Sequence, residues 1–191
     1  MAEVFLFRHG QTEWSKNGRH TGSRTDLPLL DEGRRQAEEL SGIVQAHTFA
    51  RVFSSPLQRA LDTCRLAGLG ERAELRDELL EWDYGEYEGI TTPDIREANP
   101  GWNLWRDGCP GGESADDVGA RVDKVIDELR ATEEEAALFA HGHVLRILAA
   151  RWTGLGPESG ARLSLSTGTY SALGYERETP VIKLWNAPVG G

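Results

Sequence analysis

Two histidines sit where apolar runs end. Val4 to Phe7 is a short, β-prone stretch that stops at Arg8, His9 and Gly10; Ala137 to Ala140 stops in the same way at His141, Gly142 and His143. Runs this short suit buried parallel strands better than helices. A cation and an imidazole at the end of a buried strand need polar partners, because burying them bare is costly. The crevice beyond the carboxyl ends of the strands in an open α/β sheet offers such a place, and it is where these folds bind ligands. Histidine changes charge near neutral pH, so two of them on one crevice suit nucleophilic or acid–base work. Either histidine alone reads as well as a packing residue closing a strand; the pair is harder to explain that way.

A third basic group is placed by a helix. Arg51 to Phe53 is β-prone, and Ser54, Ser55 and Pro56 follow. Ser55 suits an N-cap, Pro56 the first helical position and Gln58 the third position of a capping box. Arg59 then falls in the first turn, where the helix dipole disfavours a cation unless an anion lies in front of it. Residues 11–30 form a long loop, and loops of that length in a compact domain are usually functional. Its Ser15, Thr21 and Gly22 could offer hydroxyl and backbone N–H groups to phosphate oxygens, or serve ordinary turns.

The remaining elements follow from periodicity. Asp31 or Glu32 starts a helix that buries Ala37, Leu40, Ile43 and Val44. Ser114 caps another, with Asp117 at capping-box spacing, burying Val118, Val122, Val125, Ile126 and Leu129. Val144 to Trp152 is an apolar helix beginning just beyond His143, and Tyr170 to Tyr175 and Val181 to Trp185 are β-prone. The order predicts a three-layer α/β/α sandwich with a mainly parallel sheet. At 191 residues one domain, 1–191, is expected, with a cap-like insertion at about 90–113. Trp82, Tyr84, Tyr87, Trp102 and Trp105 could wall a pocket, though a satellite apolar cluster explains most of them. The net charge of −10 disfavours a nucleic-acid partner. It does not bar an anionic substrate, since a local arginine cluster acts within about one screening length. No apolar run reaches the ~18 residues of a membrane span. No secretory pattern precedes Val4, and Cys64 and Cys109 read as reduced thiols, so a cytoplasmic protein is expected.

Arg8-His9-Gly10, with a second histidine after a late strand, resembles the histidine phosphatase (phosphoglycerate-mutase-like) superfamily. DLPLLDEGRRQAEEL resembles the family's next landmark, and SSPLQRALDT its phosphate-binding arginine, which falls on Arg59. ELLEWDYGEYEG resembles the stretch that supplies an acid; the register selects Glu81, which composition alone does not separate from Asp83, Glu86 and Glu88. The resemblance implies one antiparallel edge strand, a catalytic set of His9, Glu81, Arg8, Arg59 and His141, and a binding set that adds Ser15, Thr21, Gly22 and Gly142. WNLWRDG is similar to fungal sedoheptulose-bisphosphatases of the superfamily, which would give Arg106 a remote phosphate; EWDYG and CPGGES are similar to small actinobacterial acid phosphatases. Dimers are common in the family, so a homodimer is allowed.

That set suits hydrolysis of a small phosphorylated metabolite without a cofactor. A neutral His9 nitrogen attacks phosphorus, Arg8 and Arg59 neutralise the oxygens, and His141 donates as an imidazolium. Glu81 protonates the leaving alkoxide. An acid that must enter the cycle protonated leads to the expectation of a mildly acidic optimum. Many members carry Asn six positions after the nucleophile, where this chain has Ser15, with one donor instead of two. The insertion is shorter than in the cofactor-dependent mutases, which must exclude water, and so hydrolysis leads, a sugar-bisphosphatase follows, and a mutase comes third. His9, His20, His141 and His143 could attract zinc, but Arg8 and Arg59 would repel a cation and no zinc spacing is present. No metal is expected.

Overall fold

The computed structural model describes residues 3–189. It contains one six-stranded sheet in the order β3-β2-β4-β1-β5-β6. The strands are β1 (Val4–Arg8), β2 (Arg51–Ser54), β3 (Glu74–Leu75), β4 (Ala136–Ala140), β5 (Tyr170–Glu176) and β6 (Thr179–Ala187). β1 pairs in parallel with β4, β4 with β2, and β2 with β3. The antiparallel strand is β5, one place in from the edge, because the last hairpin returns β6 outside it. That position refines the expected antiparallel edge within a sheet of the expected mixed kind.

Alternation along the strands builds two cores. Val4, Leu6, Phe53 and Leu138 pack against helices α7 (Ala115–Arg130) and α8 (Gly142–Trp152). Phe5, Phe7, Val52 and Phe139 face the other way, onto α2 (Asp31–Glu39), α3 (Ser41–Gln45) and α4 (Gln58–Leu66). The rings of Phe7 and Phe139 stack at 4.6 Å across neighbouring strands. α7 is closed at its start by a Ser114–Asp117 capping box and buries the expected stripe, Val118 to Leu129. Truncating one such leucine or isoleucine to alanine costs about 2–5 kcal/mol.

Several local expectations change. The 11–30 loop contains a short helix, α1 (Glu13–Asn17), started by a reciprocal Thr12–Ser15 capping box. α4 begins at Gln58 rather than Pro56, and the side chain that caps it is Asp26, whose Oδ1 accepts from Gln58 N at 2.8 Å. Ser55 Oγ accepts from Leu57 N at 3.3 Å and has a further task, described below. The 90–113 segment folds into α5 (Thr92–Ala98) and α6 (Leu104–Asp107). Trp82, Tyr84 and Trp102 belong to the main core rather than a satellite. Cys64 and Cys109 are buried free thiols. Among the described residues no helix is long and apolar enough to cross a membrane.

Candidate active site

Strand register brings the two histidines together. Arg8 lies opposite Ala140, and His9 N donates to Ala140 O at 3.0 Å, so the chain leaves β1 and β4 side by side. The His9 and His141 rings end 5.2 Å apart between centroids. Gly10 is required here, since a Cβ would fall 2.0 Å from the Gly33 carbonyl oxygen at the start of α2.

His9 is buried, and its Nδ1 bonds the Gly10 carbonyl at 2.7 Å. A carbonyl only accepts, so Nδ1 carries the proton and Nε2 keeps its lone pair. Burial, then the Arg59 and Arg8 charges, hold this imidazole well below its usual range, which keeps the ring neutral. His141 is neutral for the same reasons, burial first and then Arg59. Arg59 Nε donates to His141 Nδ1 at 3.1 Å, so the proton sits on Nε2, which donates to Ser55 Oγ at 2.7 Å. The expected imidazolium is therefore absent from this arrangement.

Arg59 is fully buried and makes three further hydrogen bonds, all to backbone carbonyls. Nη1 donates to Thr25 O, and Nη2 to Gly22 O at 2.9 Å and, more weakly, Thr21 O at 3.3 Å. It therefore ties the 21–25 loop to His141 and stands behind the cavity. Arg8 donates from Nη1 to Leu165 O. Among the described residues its buried Nε has no partner, and neither does Thr21 Oγ1. The Arg8 guanidinium passes so close to α8 that a Cβ on Gly142 would stand 3.2 Å from its Cζ.

Glu81 meets the start of α8. Its Oε1 accepts from Trp82 N and Val144 N, both at 2.9 Å, and Oε2 from His143 N at 3.0 Å. Helix N-termini favour an acidic group through their free N–H groups and dipole. A cavity of about 200 Å³ is lined by Arg8, His9, Ser15, Thr21, Glu81 and Gly142 among others. Of the expected binding residues, four do not line it: Arg59 and His141 stand behind it, and Gly22 and Arg106 are placed otherwise. Gly22 N is committed to Glu88 Oε1 at 2.9 Å. Arg106 is exposed, paired to Asp107 and bonded to Gly101 O, and does not line the cavity. The Asn103–Asp107 turn satisfies it locally. Ser15 spends its hydroxyl on Thr12, accepting from N at 2.9 Å and donating to O at 3.0 Å.

The cavity also takes Tyr84, one of the aromatic residues that could wall a pocket, with His20 and His143 beside it. Tyr84 Oη meets His143 Nδ1 at 2.5 Å, and the His20 ring lies 4.7 Å from that of Tyr84. Burial drives His20 down to about 4 and His143 well below its usual range. Arg146 lines the same wall. Its signal was its place three residues after His143, on one face of a helix. Among the described residues no group of His, Cys, Asp and Glu is arranged to hold a metal ion.

These neutral imidazoles make stability pH-dependent. His9, His141 and His143 titrate lower folded than the ordinary 6.5. As pH falls through 6.5 the unfolded chain binds protons that the folded chain refuses, so stability is full above that point and declines below it. The slope approaches about 1.4 kcal/mol per pH unit for each group. His20 acts in the same direction, and Glu88, raised by burial, opposes this as one group against four. Urea midpoints at pH 7.5 and 5.5 should fall clearly with pH; equal midpoints would contradict the buried, neutral assignment.

Buried neutral imidazoles, guanidinium groups and a carboxylate at the carboxyl edge of a mixed sheet characterise enzymes acting on phosphate esters. The comparisons agree. The family model described as histidine phosphatase superfamily, branch 1, matches residues 4–188, and the chain belongs to that family. Its class is that of the phosphoric monoester hydrolases. An acid phosphatase of Mycobacterium tuberculosis is 42% identical over 193 residues, spanning 97% of this chain and 94% of that protein. A sedoheptulose 1,7-bisphosphatase of Saccharomyces cerevisiae is 37% identical over 183 residues, spanning 79% and 67%. The solved structure of an open reading frame product from M. tuberculosis superposes with TM-score 0.93 at 36% identity, covering 99% of both chains.

Proposed function

We propose that the protein hydrolyses small phosphomonoesters through a phosphohistidine on His9. The observation that carries this reading is the Nδ1–H bond to Gly10 O, which leaves an unprotonated Nε2 beside the cavity. Nε2 attacks phosphorus as the bond to the alcohol oxygen breaks. The ring becomes cationic, and the Gly10 carbonyl stabilises the proton that Nδ1 retains. Arg8, with its unpartnered Nε, and the Thr21 hydroxyl receive the phosphoryl oxygens. Arg59 supplies charge at close range and holds His141 and the 21–25 loop in place; direct contact would require it to exchange a carbonyl for a phosphate oxygen.

Glu81 gives its proton to the leaving oxygen. Oε1 already accepts two N–H groups and Oε2 one, so Oε2 has the room for the mobile proton. Water then attacks the phosphohistidine, returns a proton to Glu81 and releases inorganic phosphate, with the P–N bond broken and His9 neutral again. An acid phosphatase relative supports the hydrolytic outcome. Metal-free turnover of p-nitrophenyl phosphate in EDTA, with burst labelling of the protein, tests the reading. No label, or turnover restored only by a divalent cation, would overturn it.

A further inference from the structure

The stretch DLPLLDEGRRQAEEL has no part in the phosphoryl transfer as described, yet it delivers a side chain to the back of the nucleophile. Gln36 stands on α2, outside the cavity lining, and its Oε1 accepts from Gln11 N at 2.9 Å. A backbone N–H only donates, so the amide oxygen faces it and not the amide nitrogen. That N–H belongs to the same peptide unit whose carbonyl, Gly10 O, takes the proton of His9 Nδ1 at 2.7 Å. His9, one peptide group and Gln36 therefore form a continuous hydrogen-bonded chain.

The peptide needs such an anchor. It follows Gly10, and glycine restrains its own backbone least, so the plane turns readily about the Gly10 Cα–C bond. The peptide before it is already held. Gly10 N donates to Thr63 Oγ1 at 3.1 Å, and the buried Thr63 hydroxyl donates to Arg59 O at 2.7 Å. His9 O accepts from Gly168 N at 3.0 Å. Gln36 does the same for the second peptide, and its own stem is held: a Cβ on Gly168 would stand 2.5 Å from the Gln36 Cβ.

The chain also has an electronic effect. Hydrogen bonds in series polarise one another. Donation from Gln11 N to Gln36 makes the Gly10 carbonyl a stronger acceptor as His9 becomes cationic. Burial, then the Arg59 and Arg8 charges, oppose a charge on that ring, and the Gly10 bond favours it.

We propose that Gln36 is a positioning residue for phosphoryl transfer: through the Gly10–Gln11 peptide it fixes the His9 tautomer and aims Nε2 at phosphorus. The proposal rests on the phosphohistidine reading and adds to it a side chain that never touches the substrate.

Gln36→Met and Gln36→Glu separate this role from packing. Methionine keeps the length of the side chain but offers only a weak acceptor; glutamate keeps the oxygen and adds a charge. An acceptor role ranks Gln36→Glu above Gln36→Met, whereas packing at this half-buried position reverses the order. On p-nitrophenyl phosphate, kcat/KM should fall at least about tenfold in Gln36→Met and no more than about threefold in Gln36→Glu. Inhibition by inorganic phosphate should stay within about twofold of wild type in both, because Arg8 and the Thr21 hydroxyl are untouched. In protein carrying isotope-labelled histidine, the His9 Nδ1–H signal, assigned by its loss in His9→Ala, should move upfield in Gln36→Met and hold its place in Gln36→Glu. Gln36→Met at or above Gln36→Glu in rate, phosphate inhibition weakened in step with rate, or an unmoved signal in Gln36→Met would each overturn the positioning role. If Gln36→Met does not fold, a tenfold loss in folded Gln36→Glu overturns it alone. Wild-type turnover without any labelled protein would instead overturn the phosphohistidine reading.

Discussion

His9→Ala should lower kcat on any phosphomonoester by at least about 10³-fold and abolish acid-labile phosphoprotein altogether. The size follows from what is removed. The neighbouring imidazoles are engaged elsewhere: His141 gives Nδ1 to Arg59 and Nε2 to Ser55, His143 Nδ1 is held by Tyr84, and His20 Nε2 meets Thr92 Oγ1. The fold should survive. Alanine leaves the Gly10 carbonyl without its donor, a cost of about 1–3 kcal/mol, and circular dichroism with a urea melt would register that loss. Retention of a tenth of the activity in a folded variant, or label persisting on the protein, would remove His9 as the nucleophile. Rescue by added imidazole, which can bring a free nitrogen to the vacated position, would strengthen the assignment.

How much could be read from the residues alone depends on how local each determinant is. The β1 and β4 runs were legible because a short apolar stretch ending in His-Gly is a local pattern, and parallel register then puts His9 beside His141. The helix stripes were legible for the same reason. The start of α4 was not: Ser-Pro suggested a cap, but Asp26, more than thirty positions earlier, takes that role and leaves Ser55 to His141. The charge on His141 was misjudged because it depends on Arg59 Nε, a contact spanning 82 positions. Glu81 looked like its acidic neighbours, and only the N–H groups of α8 single it out structurally. Arg106 stood in a Gly-rich stretch where no pattern tells which way a side chain points. Arg146 lay within an apolar helix that read as plain core, although its spacing from His143 was visible throughout.

Glu81→Gln should separate esters by their leaving groups. An alkoxide leaves poorly without a proton, so hydrolysis of glycerol 3-phosphate should fall by about 10²–10⁴-fold. Nitrophenolate leaves without help, so phosphorylation of His9 by p-nitrophenyl phosphate should change little in comparison. The substitution also has a structural effect. Glutamine can still accept from Trp82 N and Val144 N through its carbonyl oxygen, but its amide nitrogen would then face the His143 N–H, donor against donor. That clash costs about 1–3 kcal/mol and would loosen the start of α8. Loosening alone penalises both esters alike, because each needs the same placement of Arg8 and His9. The ratio of the two losses therefore isolates proton transfer from positioning. With p-nitrophenyl phosphate, moreover, the second half-reaction still needs Glu81 to activate water, so label should accumulate on His9 in the variant. Equal losses on both esters, with no accumulation of label, would show that this carboxylate organises the N-terminus of α8 and moves no proton.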